Sequence, residues 1–244
     1  IMKIHNREIS LKNKPFIIAE MSGNHNQSLD RAINIVEVAA KVGVDAIKLQ
    51  TYTADTITLN VNKDEFIISD ENSLWHGRSL YNLYEEAHTP WEWHEPIMKK
   101  ANELGIICFS SPFDETAVDF LEELNFPAYK IASPEIIHIP LIEKIVSTGK
   151  PIIASTGMAS LREIDEAINI IKNNNYSEFA LLKCTSTYPA SAKDSNIKSI
   201  SNLRKLYNCE VGLSDHTMGI GAAVAAVAHG ATIVEKHFTL DRSD

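Results

Sequence analysis

The chain has 244 residues, 44% of them hydrophobic, and a formal net charge of −9 at pH 7. This length and apolar content allow two small domains or one α/β barrel with a sizeable core, and a single barrel is the simpler fit. The acidic balance argues against a nucleic-acid partner, because binding to a phosphate backbone needs a surplus of Lys and Arg on one face.

Cysteine use and hydropathy indicate a protein of a reducing compartment. Cys108, Cys184 and Cys209 are too few for a disulfide framework and show no metal-ligand spacing, so we assign the three thiols to packing. The sequence shows neither a signal peptide nor an apolar run of about 18 residues. We therefore expect a soluble cytoplasmic protein with no membrane partner. Ile1 precedes Met2, which resembles a native initiator, and we interpret Ile1 as a processing scar.

Short apolar runs alternate with amphipathic stretches along the chain, which is the rhythm of repeated β-α units around a parallel sheet. The predicted strands are Pro15–Ser22, Asp45–Gln50, Gly105–Pro112, Ala128–Ser133, Pro151–Thr156, Phe179–Thr185, Cys209–Ser214 and Thr232–His237. Apolar spacings of three and four predict helices between them, among them Leu29–Val42, Glu92–Leu104, Asp114–Leu124, Leu161–Asn173 and Ile220–His229. Eight such units predict one (β/α)8 TIM barrel over residues 1–244. The chain stops seven residues after the eighth strand, so we expect the closing helix to be missing.

One interval breaks this rhythm. Residues 51–89, between the second strand and its helix, are too long for an ordinary βα loop. The segment Ser73–His88 is rich in aromatic and polar groups, and long loops on this face of a barrel usually serve the active site. We interpret the interval as a lid or substrate wall; the alternative is a peripheral flap.

Each predicted strand begins apolar and ends polar. The polar residues at the strand ends are Glu20, Lys48, Gln50, Ser110, Ser111, Lys130, Ser133, Glu135, Ser155, Thr156, Lys183, Thr185, Ser186, Ser214, Asp215, His216, Glu235 and His237. In a (β/α)8 barrel all C-terminal strand ends meet on the face where active sites are built, so we expect these groups to share one pocket. Charges in a dry core are costly unless paired, and a shared pocket would let them compensate one another and a ligand.

Strand alternation refines this set. Lys48 and Gln50 share one face of their strand, as do Glu235 and His237, and we expect all four side chains to point inward. Lys236 then points outward, where we expect a structural salt bridge.

Two imidazoles are predicted at neighbouring strand ends. His216 lies on the inward face of the seventh strand, which would place it beside His237. With carboxylates nearby, the pair could hold a divalent metal ion whose coordination is completed by water, suited to polarising a carbonyl oxygen as a Lewis acid. The alternative is a pair of histidines that only form hydrogen bonds.

Cations and hydroxyl groups occur together without a glycine-rich phosphate loop. Lys48 and Lys130 are accompanied by hydroxyls of Ser133, Ser155, Thr156 and Ser186. Such a set can hold a phosphate and a carboxylate at once, which suits a small doubly anionic substrate. The alternative, scattered strand-end caps, would leave two lysines on buried strands without anionic company.

Seven segments resemble, in order and across nearly the whole chain, motifs of the phosphoenolpyruvate-dependent sialic acid synthase family. They are Lys48–Gln50, Ser111–Asp114, Tyr129–Ser133, Ser155–Met158, Cys184–Pro189, Gly212–His216 and Val234–Arg242. Within the family, Glu20–Asp30 and Thr89–His94 are most similar to the branch that makes pseudaminic acid.

The resemblance implies condensation of phosphoenolpyruvate with open-chain 2,4-diacetamido-2,4,6-trideoxy-altrose, giving pseudaminic acid and phosphate. By this resemblance, His216 and His237 bind a divalent cation, Mn²⁺ or Mg²⁺, that activates the sugar aldehyde, and Glu20 and Glu135 orient the sugar and handle protons. The implied substrate-binding set is Lys48, Gln50, Lys130, Ser133, Ser155, Ser186 and Ser214.

The sequence departs from the family pattern in two places. The family carries an antifreeze-like C-terminal domain that reaches over the partner's barrel, and nothing here corresponds to it, so we expect a truncated barrel that forms a homodimer when full length. Lys183 stands where relatives often carry histidine, and whether it contacts substrate is left open. The alternative functions are an N-acetylneuraminic or legionaminic acid synthase, a Schiff-base aldolase with a desolvated lysine, and a barrel that only binds an acidic sugar.

Overall fold

The computed structural model describes residues 2–71, 73–174 and 178–243. The strands are Met2–Ile4 (β1), Arg7–Ile9 (β2), Phe16–Glu20 (β3), Ala46–Thr51 (β4), Ile107–Pro112 (β5), Tyr129–Ile131 (β6), Ile152–Ser155 (β7), Phe179–Cys184 (β8), Glu210–Asp215 (β9) and Ile233–His237 (β10). The α-helices are Leu29–Val42 (α1), Ala54–Ile57 (α2), Leu80–Ala87 (α3), His94–Glu103 (α4), Glu115–Glu123 (α5), Ile139–Ser147 (α6), Leu161–Asn173 (α7), Ser199–Tyr207 (α8) and Gly221–Ala228 (α9).

Strands β3 to β10 form a closed parallel barrel, in which β10 pairs with both β9 and β3. The predicted (β/α)8 barrel is therefore confirmed. Each predicted strand corresponds to one barrel strand, with both ends placed within two residues. The described residues after β10, 238–243, contain no helix.

Apolar side chains form one layer inside the barrel and a second layer between the barrel and its helices. The inner layer contains Phe16, Ile18, Ala46, Phe109, Ala128, Ile153, Ala180, Leu182 and Ile233. The helices begin and end where the sequence supplies caps: Ser28 accepts a hydrogen bond from the Arg31 N–H at the start of α1, and Gly43 ends that helix with φ 86°.

The hairpin of β1 and β2 covers the N-terminal end of the barrel. Met2 pairs with Ile9, and both side chains join Ile4 in the inner apolar layer. Arg7 fixes the hairpin to the barrel through an ion pair from Nε to Asp45 Oδ1, 2.9 Å long, just before β4. The sequence analysis missed this hairpin, because strands of three residues are too short to show an alternating pattern.

No α-helix in the described ranges is long and apolar enough to cross a membrane.

Gly212 is required by the close approach of β9 to β10. A Cβ atom at this position would lie 2.3 Å from the Ile233 carbonyl oxygen and 2.7 Å from the Ile233 Cβ. We expect Gly212→Ala to lower the free energy of unfolding by roughly 1–3 kcal/mol, because the strands must move apart. Urea denaturation followed by circular dichroism measures this change. Gly221→Ala is the control, since nothing lies within 4 Å of its added Cβ; equal stability of the two variants would contradict the prediction.

Candidate active site

Two lysines and two glutamates meet inside the C-terminal end of the barrel. Lys48 Nζ lies 2.6 Å from Glu20 Oε2, and these residues are partners in the register of β3 and β4. Glu235 lies between the lysines, with 3.9 Å from its Oε2 to Lys48 Nζ and 3.8 Å from its Oε1 to Lys130 Nζ. None of the four residues is more than 5% exposed. Burial of four charges is tolerable because each amine has a carboxylate close by.

Hydroxyl groups from neighbouring strands complete this charged cluster. Lys130 Nζ donates to Ser155 Oγ at 2.7 Å, and Lys48 Nζ donates to Ser111 Oγ at 3.3 Å. Ser214 Oγ donates to Glu235 Oε1 at 3.0 Å. The structure thus brings together four of the predicted substrate-binding residues, namely Lys48, Lys130, Ser155 and Ser214.

Burial and mutual charge shift the pKa values of the cluster in opposite directions. Burial raises the pKa of Glu20 to about 7, against the effect of Lys48, and the Glu235 charge raises it further. Burial also lowers the pKa of Lys130, with Lys48 adding to the effect and Glu235 opposing it. The pKa of Lys48 is raised, because Glu20 and Glu235 outweigh its burial.

Glu235 lies in the pocket, as the sequence analysis predicted, although that analysis gave it no individual role. Its pKa is lowered despite burial, because Lys130 and Lys48 favour the carboxylate. Glu20 Oε1 and Glu235 Oε2 are buried without a hydrogen-bond partner. Since a buried acceptor without a donor is costly, a bound molecule with hydroxyl or N–H groups would be stabilised here.

A second group of polar atoms surrounds Gly157. The Gly157 N–H donates to Ser133 Oγ at 3.0 Å. A Cβ atom on Gly157 would lie 2.3 Å from Ser186 Oγ and 2.7 Å from Ser133 Oγ, so the close approach of these hydroxyls requires glycine. Cys184 Sγ lies 3.8 Å from Ser186 Oγ. The sequence analysis assigned Cys184 to packing. The structure shows that Cys184 also lines the site.

His216 and His237 lie side by side at the rim, as predicted, with 5.5 Å between ring centroids. His216 Nδ1 is 2.8 Å from the Thr185 carbonyl oxygen. Because a carbonyl only accepts hydrogen bonds, Nδ1 carries the hydrogen, and Nε2 of the neutral ring keeps its lone pair. Tyr188 covers both rings, at 4.3 Å from His216 and 5.8 Å from His237 between centroids.

The two imidazoles fit a divalent metal ion. A metal-binding histidine commonly donates its second N–H to a backbone carbonyl, as His216 does. His237 is exposed at the rim, yet the protein around its ring, together with the nearby His216 and Lys48 charges, lowers its pKa and so favours the neutral ring. The pKa of His216 is raised, against its burial, by Cys184 and the Thr185 carbonyl. Among the described residues no group of three or more His, Cys, Asp or Glu could hold a metal, so water or substrate would supply the other ligands.

Two further predicted residues lie apart from the charged cluster. Gln50 is half-buried on β4, paired in register with Ser111 of β5. Glu135 lies in the short 3-10 helix Pro134–Ile137, and its Oε2 is buried without a hydrogen-bond partner. Burial raises the pKa of Glu135, while Lys130 and Lys48 oppose this shift, which places the carboxyl within electrostatic reach of both lysines.

The expectation that every polar strand end shares the pocket is wrong for several residues. Asp215 forms an ion pair with Lys236 Nζ at 2.8 Å, which confirms the outward salt bridge predicted for Lys236. Lys183 and Thr185 contact the Asp194 carbonyl oxygen, away from the charged cluster. These residues alternate with inward-facing neighbours, so the period of two along each strand turns them toward the helices.

The interval 51–89 contains α2 and α3 and packs at the barrel mouth. The Tyr52 ring contacts Tyr84 of α3 and Phe113, with centroids 5.7 Å and 5.3 Å apart. Burial, and to a lesser degree the Glu135 charge, raises the pKa of Tyr84, so α3 lies beside this carboxylate. These contacts favour a substrate wall over a peripheral flap.

The model of the NeuB family matches residues 35–244, a range that contains every barrel strand except β3. The chain belongs to the NeuB family. A pseudaminic acid synthase from Campylobacter jejuni is 49% identical over 230 residues, which cover 94% of this chain and 66% of that protein. A pseudaminic acid synthase from Helicobacter pylori is 44% identical, covering 94% of this chain and 67% of that protein.

A solved structure agrees with the NeuB assignment. The N-acetylneuraminic acid synthetase from Leptospira borgpetersenii, crystallised in complex with citrate, matches with a TM-score of 0.87 at 33% identity, covering 99% of this chain and 79% of that one. The present chain spans slightly less than two thirds of the length of the Campylobacter protein, at 66%.

A second buried network supports the NeuB barrel behind the site. His94 Nδ1 faces the Pro90 carbonyl oxygen at 3.3 Å and therefore carries the hydrogen, so His94 Nε2 accepts from Thr51 Oγ1 at 2.8 Å. Thr51 Oγ1 in turn accepts from Ser110 Oγ at 2.6 Å. The hydroxyl of Ser110 is thus used between β4, β5 and α4 and does not reach the pocket.

Acidification should destabilise the protein through His94. Burial lowers its pKa from 6.5 to about 4. Between these pH values only the unfolded chain takes up the proton, so stability is complete above pH 6.5 and is lost as the pH falls toward 4. We expect His94→Gln to remove up to about 3 kcal/mol of this dependence.

Urea denaturation at a series of pH values measures this dependence, with His76→Gln, at an exposed histidine, as the control. Identical pH slopes for the wild type and both variants would contradict the assignment to His94.

Proposed function

We propose that the chain is the catalytic barrel of a pseudaminic acid synthase, which condenses phosphoenolpyruvate with 2,4-diacetamido-2,4,6-trideoxy-altrose to give pseudaminic acid and phosphate. The observation that carries the proposal is the buried cluster of two lysines and two glutamates next to a pair of imidazoles. Phosphoenolpyruvate needs an anion-binding site, and the sugar aldehyde needs a group that polarises its carbonyl oxygen. The identity of 44–49% with pseudaminic acid synthases favours this sugar among those of the NeuB family.

Phosphoenolpyruvate would bind at the deep end of the site. Lys48 and Lys130 supply two cations for its phosphate and carboxylate, and charge-assisted hydrogen bonds to such groups are short and strong. Hydroxyls of Ser133, Ser155, Ser186 and Ser214 supply further donors, with Gln50 at the side. The glycine at position 157 lets the hydroxyls of Ser133 and Ser186 lie close to the backbone, where a Cβ atom would displace them.

The sugar would bind at the rim. His216 and His237 would hold a divalent cation, Mn²⁺ or Mg²⁺, which when bound supplies Lewis-acid polarisation of the aldehyde. Glu20 and Glu135 would donate to the aldehyde oxygen and accept a proton from water. The pKa of Glu20, raised to about 7, suits proton transfer near neutral pH, and burial also raises the pKa of Glu135.

The bond changes balance with these groups. Carbon three of the enol attacks the aldehyde carbon, and a new C–C bond forms as the aldehyde oxygen takes up a proton. Water adds at carbon two and releases a proton. Phosphate then leaves with the electron pair of the C–O bond, while the new hydroxyl at carbon two loses its proton and becomes the carbonyl of the product. The buried lysines stabilise the phosphate as it departs, because they hold its charge throughout.

We also propose which partners the whole protein has. The resemblance to the sialic acid synthase family supports a homodimer at full length, with an additional C-terminal domain beyond the barrel. The net charge of −9 supports the absence of a nucleic-acid partner.

A Schiff-base aldolase is a second candidate, because burial lowers the pKa of Lys130 and so favours a nucleophilic amine. Borohydride treatment with a carbonyl substrate would trap a covalent adduct at Lys130 in that case. Phosphate release from phosphoenolpyruvate without an adduct would exclude this candidate.

The proposal is tested by phosphate release from phosphoenolpyruvate with the full-length protein and a panel of 2-acetamido sugars. We expect turnover with the 2,4-diacetamido-altrose, loss of turnover with a chelator, and recovery when Mn²⁺ is restored. His237→Ala should abolish turnover while the circular dichroism spectrum stays unchanged, since its ring lies at the rim. Preference for another sugar would show that the proposed sugar substrate is wrong. Full activity of His237→Ala would show that His237 is not needed to bind a metal ion.

Lys130→Met should weaken both stability and the binding of phosphoenolpyruvate. The substitution leaves the buried Glu235 carboxylate without one of its two lysine partners, so we expect the free energy of unfolding to fall by roughly 3–5 kcal/mol. The KM for phosphoenolpyruvate should rise at least about tenfold, because a charged hydrogen bond to the anion is lost. Steady-state kinetics checks this, with Lys150→Met as the control, at a lysine that pairs with Glu122 on the outside of the barrel. An unchanged KM would contradict the role of Lys130.

A further inference from the structure

The loop between β8 and α8 holds His216 on three sides. The His216 Nδ1–H donates to the Thr185 carbonyl oxygen at 2.8 Å. The His216 carbonyl oxygen accepts from the Ala190 N–H, also at 2.8 Å. The Tyr188 ring lies 4.3 Å from the imidazole, centroid to centroid. The position and tautomer of His216 therefore depend on how firmly this loop is fixed.

Lys183 closes the base of the same loop. Its Nζ donates to Thr185 Oγ1 at 2.6 Å and to the Asp194 carbonyl oxygen at 3.1 Å. Thr185 Oγ1 accepts from the lysine and donates its own hydrogen to the Asp194 carbonyl at 3.0 Å. These three groups form a closed triangle, which we call the Lys183 clamp. It ties the end of β8 to the short 3-10 helix Ala192–Asp194.

The clamp reaches His216 through a single residue. Thr185 presents its hydroxyl to the clamp and its carbonyl oxygen to His216 Nδ1. A side chain fixed by two hydrogen bonds restricts the backbone that carries it, so the clamp limits the direction of the Thr185 carbonyl. The Lys183 side chain points to the helix side of β8, because Ala180 and Leu182 occupy the inner face. Lys183 thus acts on the site without entering the pocket.

We propose that Lys183 is a positioning residue for His216. By fixing the Thr185 carbonyl, it keeps His216 in the tautomer with hydrogen on Nδ1 and leaves Nε2 available as a ligand. The consequence for metal binding rests on the proposed function. Loss of such an outer contact typically weakens metal affinity by about 10- to 100-fold.

The experiment compares Lys183→Met with two matched variants. Lys183→Arg keeps a cationic donor, and Lys193→Met removes an equal charge from an exposed position of the same loop. Nitrogen-15 NMR of histidine-labelled, metal-free protein, at a pH where both imidazoles are neutral, reports the tautomer directly. We expect the Nδ1–H form in the wild type and in Lys193→Met, a mixture in Lys183→Met, and recovery in Lys183→Arg. Paramagnetic resonance with Mn²⁺ alone should show at least tenfold weaker binding for Lys183→Met.

The tautomer decides the proposal independently of metal binding. A Lys183→Met variant that keeps the Nδ1–H form as fully as the wild type would overturn it. Absence of Mn²⁺ binding by the wild type would instead overturn the metal role in the proposed function. Should Lys183→Met fail to fold, Thr185→Val removes the hydroxyl of the clamp and keeps the carbonyl, and it should give the same mixture of tautomers.

Discussion

Four charged side chains share a nearly dry space at the mouth of this barrel, and none of them could stay there alone. Lys48 is 4% exposed and Lys130 is 2% exposed, so water does little to stabilise either ammonium group. Glu20 and Glu235 compensate them. Glu20 and Lys48 meet because β3 and β4 are neighbours, whereas Lys130 of β6 reaches Glu235 of β10 across the interior of the closed barrel. The closed sheet is therefore the condition for the site, and the site is the reason that the strands end in polar residues.

Because side chains alternate along a strand, each strand end contributes both to the pocket and to contacts outside the barrel. Inward residues form the pocket, while outward residues such as Ser110, Asp215 and Lys183 tie strands to loops and helices. Each of these outward groups has a hydrogen-bond or ion-pair partner within the protein. The inward groups retain buried acceptors without donors, at Glu20 and Glu235. Buried polar atoms without partners are usual in functional sites, where a ligand supplies the missing hydrogen bonds.

The sequence predicted the barrel well, because parallel strands covered on both faces read as apolar runs and their helices carry caps. The pair of imidazoles and Lys48 also followed from local alternation, and Lys130 from its place at a strand end. The role of Gly157 did not, since the hydroxyls that require it belong to Ser133 and Ser186 on other strands. Cys184 resembled an ordinary buried thiol for the same reason. Such requirements arise from distances between segments, which a local pattern does not contain.

The hairpin of β1 and β2 limits how a ligand can enter and leave the barrel. Met2, Ile4 and Ile9 fill the N-terminal end of the barrel, so among the described residues the polar groups of the site face the opposite, C-terminal end. A ligand that binds the deep lysines would first pass the imidazoles and Tyr188 at the rim. A second ligand bound at the rim would block release of the first. This difference in depth favours an ordered exchange, in which the inner ligand would enter first and leave last.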